Sequence, residues 1–443
     1  MSEAEILARA QTEQFIVSQL GLLPREWRIC EVGSACSLIV DCPHTTPTFL
    51  DEGILVARTT NIRDGRFVLE GASYVDEQEF RARILRAEPQ AGDVIFTREA
   101  PVGEAFVVPP GMRICLGQPV MLLRPDPSVL DSIYLLSQIS SGFVRSRITK
   151  LTAGTTNPHL NVSEVRSFLL PVPPVAEQQR IARILDTLDE AIRSAERLID
   201  KLAQAKQGLL HNLLTRGIDE SGQLRDPADI VDTPVGRNPR DWAVLRIEEL
   251  LEGRPKNGYS PKEADQWTGM LMLGLGCLTQ SGFQPVQLKN APLHDAGLAR
   301  TILKDGDLLI SRANTRELVG LAGRFEELGI PCTYPDLMMR LRPTNRVLPA
   351  YLEIVLQAPA TRRQIQAAAS GTSGSMVKIS SNVVCNLLVA LPDKVEQKRI
   401  VNFLDLETFR LNAEKRRLAK LRLVKQGLMN DLLTGRVRVG ASA

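Results

Sequence analysis

No two of the seven cysteines form a CxxC pair, and 443 residues hold only four histidines. The spacing of a zinc site is therefore missing. The odd cysteine count, scattered over positions 30, 36, 42, 115, 277, 332 and 385, fits reduced thiols in a cytosol, and the six-residue interval between Cys30, Cys36 and Cys42 fits ordinary strand or loop positions. No run reaches the ~18 apolar residues that a membrane span needs. The opening MSEAEILARAQTEQF carries acids early and no apolar core of signal-peptide type. A soluble, cytoplasmic protein is expected. A net charge of +3 is small for this length and excludes a uniformly basic coat, while leaving room for local basic surfaces.

Catalytic signatures are missing too. Adenine-N6 methylation needs an Asn/Asp-Pro-Pro-aromatic motif; Asn157-Pro158-His159-Leu160 and Asn238-Pro239-Arg240-Asp241 both lack the second proline. Gly274-Leu275-Gly276 follows an apolar run but is not continued into GxGxxG, and reads as a strand-to-turn feature. No GxxxxGK[ST] loop supports ATP hydrolysis, and no acid-base or nucleophilic constellation emerges. The chain is expected not to be an enzyme.

What is present is a duplication. With 44% apolar and 24% charged residues the chain can fill two or three cores. The segment from Pro173 to Ile218 aligns without a gap onto Pro392 to Val437, at an offset of 219 residues. Glu177, Gln178, Arg180, Ile181, Leu185 and Asp186 recur as Glu396, Gln397, Arg399, Ile400, Leu404 and Asp405; the run Lys206 to Leu209 recurs as Lys425 to Leu428. Ahead of each copy, Pro24-Arg25-Glu26-Trp27 matches Pro239-Arg240-Asp241-Trp242, and Gly92, Asp93 and Arg98 match Gly306, Asp307 and Arg312. Short alternating or apolar runs such as GDVIFTR and GDLLISR predict strands, with a short helix near Ala350 to Gln366. The class is α+β. Expected segments are a first globular part over 1–172, a helix over 173–216, an irregular exposed linker over 217–238, a second globular part over 239–391, a helix over 392–435 and a tail over 436–443.

Both helical segments carry an apolar seam. A four-three alternation takes in Ile181, Leu185, Leu188, Ile192, Ala195, Ile199, Leu202, Lys206, Leu209 and Leu213. The second copy gives Ile400, Leu404, Glu407, Leu411, Glu414, Leu418, Leu421, Lys425, Leu428 and Leu432. Alone, either helix could be a solvated spacer or a homodimer zipper. Two matched copies in one chain favour intramolecular, antiparallel pairing through high effective concentration. About 40 helical residues at ~1.5 Å rise make a rod of about 60 Å. Two reading heads on one face of a duplex want centres roughly 34 Å apart, which such a rod can set.

The order of variable domain, repeated helix, variable domain, repeated helix resembles the specificity subunit of type I restriction-modification systems over nearly the whole chain. The marks are PPVAEQQRIARILD with PDKVEQKRIVNFLD at the helix starts, KQGLLHNLLTRGI with KQGLMNDLLTGRV at the ends, and PREW with PRDW opening each domain. The resemblance implies two target-recognition domains, each reading half of a bipartite asymmetric DNA sequence. It also implies two adenine-N6 methyltransferase subunits and ATP-driven restriction subunits as partners. S-adenosylmethionine, ATP and magnesium would belong to those partners, with no cofactor or metal in this chain.

Phosphates are contacted by Lys, Arg, Ser and Thr, and bases are specified by Arg to guanine and Asn or Gln to adenine. Candidate DNA contacts are therefore Lys150, Thr155, Thr156 and Asn157 in one small-residue loop, and Thr372, Ser373, Ser375 and Lys378 in the corresponding loop. Arg98 and Arg312, each just after a strand, are further candidates, with Asn314 and Arg316 beside the latter and Thr59, Thr60 and Asn61 elsewhere. Exposed turns and surface salt bridges explain such residues equally well. The basic residues of the second helix, Arg410, Lys415, Arg416, Arg417, Lys420, Arg422 and Lys425, form either a solvated face or a phosphate- or partner-facing one. A stand-alone DNA-binding regulator and a coiled-coil adaptor are the alternatives, and no helix-turn-helix signature supports the regulator.

Overall fold

Asp393 starts the second long helix by accepting the backbone N–H groups of Val395 and Glu396 at 2.8 Å, and the Pro174 carbonyl starts the first by accepting those of Glu177 and Gln178. The helices run over Val175–Thr215 and Lys394–Leu432. Each ends before a glycine with left-handed backbone, Gly217 (φ 68°) and Gly435 (φ 69°). A Cβ at either glycine would run into Trp242 or Trp27, so both positions also need the missing side chain.

The computed structural model describes residues 15–154, 156–292, 295–371 and 376–440. The chain divides into two units: residues up to Arg197 with those from Lys415 onward, and residues Leu198–Glu414. Each unit thus owns half of each long helix. In the first, Asp189 pairs with Lys425 and Glu196 with Arg422, so one helix ascends in number where the other descends. In the second, Leu213 of the first helix shares a core with Ile400, Val401 and Leu404 of the second. The helices pair antiparallel. All twenty seam positions are buried or half-buried.

Each unit repeats one architecture. In the first, a four-stranded antiparallel sheet has the order Ala105–Val107, Val94–Thr97, Val120–Pro125, Cys36–Asp41. In the second the order is Ala322–Arg324, Leu308–Ser311, Met338–Leu341, Lys256–Asn257. A three-stranded sheet lies in each, with one parallel and one antiparallel neighbour around Ile54–Ala57 and around Leu271–Leu273. Closing pairs Leu169–Val172 with Arg28–Glu31, and Leu388–Leu391 with Ala243–Arg246, return the chain beside the start of each unit.

Two expectations need correcting. The linker is not irregular throughout: Ile230–Thr233 and Gly236–Pro239 form an antiparallel hairpin, and Ile218, Asn238 and Pro239 are buried, matching the hairpin Phe15–Ser18 with Gly21–Pro24. The helix expected over 350–366 is two, Pro349–Gln357 and Pro359–Ala368, because Pro359 cannot continue the first.

Candidate nucleic-acid interface

The repeated acid-amide pair at each helix start is a buried latch. Glu177 accepts from the Trp27 indole (3.3 Å) and from Arg438 (2.7 and 2.9 Å); Glu396 accepts from the Trp242 indole (3.1 Å), Arg225 (2.6 Å) and the Ile218 backbone (2.7 Å). The Glu177 hydrogen bond holds Arg438 above its ordinary pKa. Gln178 accepts from the Asp131 N–H and donates to Val129 and Pro173; Gln397 does the same with Leu348, Arg346 and Pro392. All four side chains are almost fully buried. Their recurrence was visible in the sequence, but their partners lie up to 261 residues away and carry no local signal.

The strands Val94–Thr97 and Leu308–Ser311 deliver Arg98 and Arg312 to equivalent places. The Leu160 N–H donates to the Arg98 carbonyl and the Ile379 N–H to the Arg312 carbonyl, both at 2.9 Å. Beside them, an antiparallel β-bridge joins Glu99 to His159 and a two-residue antiparallel strand pair joins Ala313–Asn314 to Val377–Lys378. In each unit the loop after the strand is thus brought against the small-residue loop, an encounter between segments more than 55 residues apart.

The side chains then diverge. Arg98 is 9% exposed, donating to the Leu160 carbonyl (3.0 Å) and ion-paired with Asp41 (2.9 Å), which also meets His44 at 3.1 Å. Beside Asp41, burial raises the Cys42 thiol pKa. Arg98 is therefore a pin between the sheet and the loop ending at Leu160, not an open donor. Arg312 is half-buried, and its guanidinium has no partner among the described residues. Asn314 uses its Oδ1 to accept from the Thr315 N–H, the Thr315 hydroxyl is buried and unsatisfied, Arg316 is exposed with one bond to the Gln366 carbonyl, and Lys378 is exposed.

Elsewhere, Asn61 is turned inward, donating to Val68 and Glu70 carbonyls, and Thr59 is buried; only Thr60 of that trio is open. Lys150, Thr156 and Asn157 are exposed. Thr155, Thr372, Ser373 and Ser375 lie outside the described residues. Gly274–Gly276 is a strand-to-turn feature, with the Gly276 N–H donating to Gln287. Of the basic residues on the second helix, Arg410, Arg422 and Lys425 are ion-paired to Glu407, Glu196 and Asp189, while Lys415, Arg416 and Lys420 are exposed. The same helix exposes Phe403, Leu406 and Phe409, apolar side chains that the sequence reading passed over.

A family model described as the type I restriction modification DNA specificity domain matches residues 77–204. The chain is 25% identical over 395 residues to the EcoKI specificity subunit of Escherichia coli K12, covering 86% of this chain and 82% of that one. It is 23% identical to the putative type I restriction enzyme MjaX specificity subunit of Methanocaldococcus jannaschii, covering 96% and 97%. The chain is thus similar over most of its length to type I restriction enzyme specificity subunits, and the match to the DNA specificity domain lies in residues 77–204. Solved structures carry the same fold. A chain from work on complex assembly and conformational transition of the type I R-M system matches with a TM-score of 0.56 at 20% identity, over 94% of this chain and 99% of that one. The S subunit from M. genitalium matches with 0.55 at 15% identity, over 94% and 97%. No helix of the described residues is long and apolar enough to cross a membrane, and no acidic, His or Cys group among them could hold a metal ion.

Proposed function

We propose that the chain is the DNA-sequence-recognition subunit of a type I restriction-modification assembly, each unit reading one part of a bipartite duplex target while the paired helices set the separation. One observation carries this reading. Two units share sheet order, closing pair, loop-to-loop pairing and the arginine before it, Arg98 or Arg312, yet differ in the side chains of that pairing: Glu99 and His159 in one, Ala313 and Lys378 in the other. Shared scaffold with unshared loops is what reading two unlike half-sites requires.

Methylation and ATP-dependent cleavage reside in partner subunits, which bring S-adenosylmethionine, ATP and magnesium. Two adenine-N6 methyltransferase subunits dock on the helix pair, a role favoured by the exposed Phe403, Leu406 and Phe409. The test is a single-base map of adenine methylation in the host with and without this gene. Loss of one split, asymmetric motif supports the reading; with the methyltransferase genes expressed, an unchanged map overturns it and returns the question to a stand-alone regulator.

A further inference from the structure

We propose that Arg312 is the side chain by which the second unit specifies a guanine, and that the equivalent Arg98 reads no base. The proposal rests on the DNA-recognition reading and assigns within it one residue and one base class.

Equivalence is fixed by backbone geometry. Thr97 pairs with Val120 and Ser311 with Met338, so the arginines that follow occupy the same place beyond the same strand. Their N–H groups donate to the carbonyls just ahead of those partner strands, Pro119 and Leu337, and their carbonyls accept from Leu160 and Ile379. One further register explains why their side chains part. Asp41 stands opposite Met121, and the position opposite the equivalent Met339 is Asn257. A carboxylate captures Arg98 at 2.9 Å; a neutral, exposed amide takes its place beside Arg312, which has no partner among the described residues.

Leaving an arginine unpaired while half-buried forgoes a charge-assisted bond, the stronger kind. A ligand that supplies two acceptors in one plane restores it. The guanine edge in the major groove offers O6 and N7 to a guanidinium fork. A phosphate would also accept, but the setting favours an edge. The backbone at Arg312 is tied on both sides by hydrogen bonds, which fixes the base of its side chain, whereas exposed Lys378 on the neighbouring strand pair and exposed Arg316 just beyond it suit flanking phosphates.

The experiment selects bound duplexes from a randomised pool with the full chain assembled with its methyltransferase subunits, comparing wild type with Arg312→Ala, Arg312→Lys, Asn257→Asp and Arg98→Lys, each checked for assembly. A wild type that selects no split motif defeats the DNA-recognition reading itself. Given a wild-type motif, both Arg312 variants should lose guanine preference at one position of one half-site, by about 5- to 150-fold, with the other half-site intact. Arg312→Lys keeps the charge but not the planar fork, so its binding should keep its dependence on salt. Asn257→Asp, which recreates the carboxylate of the first unit, should capture Arg312 and remove the same preference. Arg98→Lys should leave every base preference in place. Retention of all preferences by both Arg312 variants, or a uniform loss across bases with a shallower salt dependence, overturns the proposal. Should Arg312→Ala not assemble, Arg312→Lys decides alone.

Discussion

The Trp242 indole N–H donates to the Glu396 carboxylate across 3.1 Å, joining the first strand region of the second unit to the start of a helix 154 residues later. Trp27 and Glu177 make the same bond in the first unit across 150 residues. The repeated PREW/PRDW and EQ motifs are thus the two halves of one latch, closed twice.

Breaking the latch should be costly. Glu396→Ala leaves the Trp242 indole and the Ile218 N–H without their acceptor, while Arg225 keeps Asp241; each buried donor left unsatisfied costs about 1–3 kcal/mol. Urea unfolding should show a loss of that order for Glu396→Ala and for Glu177→Ala, and a smaller one for Glu396→Gln, which keeps an acceptor oxygen.

Alkaline pH should destabilise the protein through its thiols. Burial pushes Cys36 up to about 12 and Cys115 and Cys332 up to about 11. Unfolded thiols ionise from about pH 8.5, so the unfolded chain releases protons first. The stabilisation is complete below that pH and is lost as pH rises towards 11–12. Urea midpoints should fall over that window. At pH 8, iodoacetamide should leave Cys115 and Cys332 unlabelled in the native protein and label all seven cysteines in urea.

Lengthening both helices should move the half-sites apart without changing them. One extra helical repeat after Leu202 and another after Leu421 adds about 5–10 Å of rod. Methylation mapping should then return the same two half-sites with a longer unread spacer. A changed half-site over an unchanged spacer would remove the ruler from the reading.

A chain ended at Gly217 keeps the first helix but loses the second-helix residues Leu428 and Leu432 that pack in the first unit's core. A second copy's helix end can replace them, because Leu209 and Leu213 are their sequence equivalents. Sedimentation should show a dimer, and with methyltransferase subunits it should modify an inverted repeat. A purely monomeric, inactive fragment would deny that interchangeability.

The sequence alone determined the duplication, the two long helices within a few residues, their seam and the resemblance to type I specificity subunits. These are periodic or repeated properties: a seam such as Ile181-Leu185-Leu188 declares itself at helical spacing, and a copied segment declares itself by alignment. Tertiary structure alone decided which residues face outward. Arg98 and Arg312 are indistinguishable in their local sequence, GDVIFTR against GDLLISR. Asp41, 57 residues upstream, withdraws one, while Asn257 stands where the carboxylate would be and no described residue claims the other. Asn61 likewise reads as an open donor until the Val68 and Glu70 carbonyls of its hairpin claim it. A side chain's availability depends on which strand the chain later sets beside it, and that register is fixed by packing over the whole unit, not by neighbours in sequence.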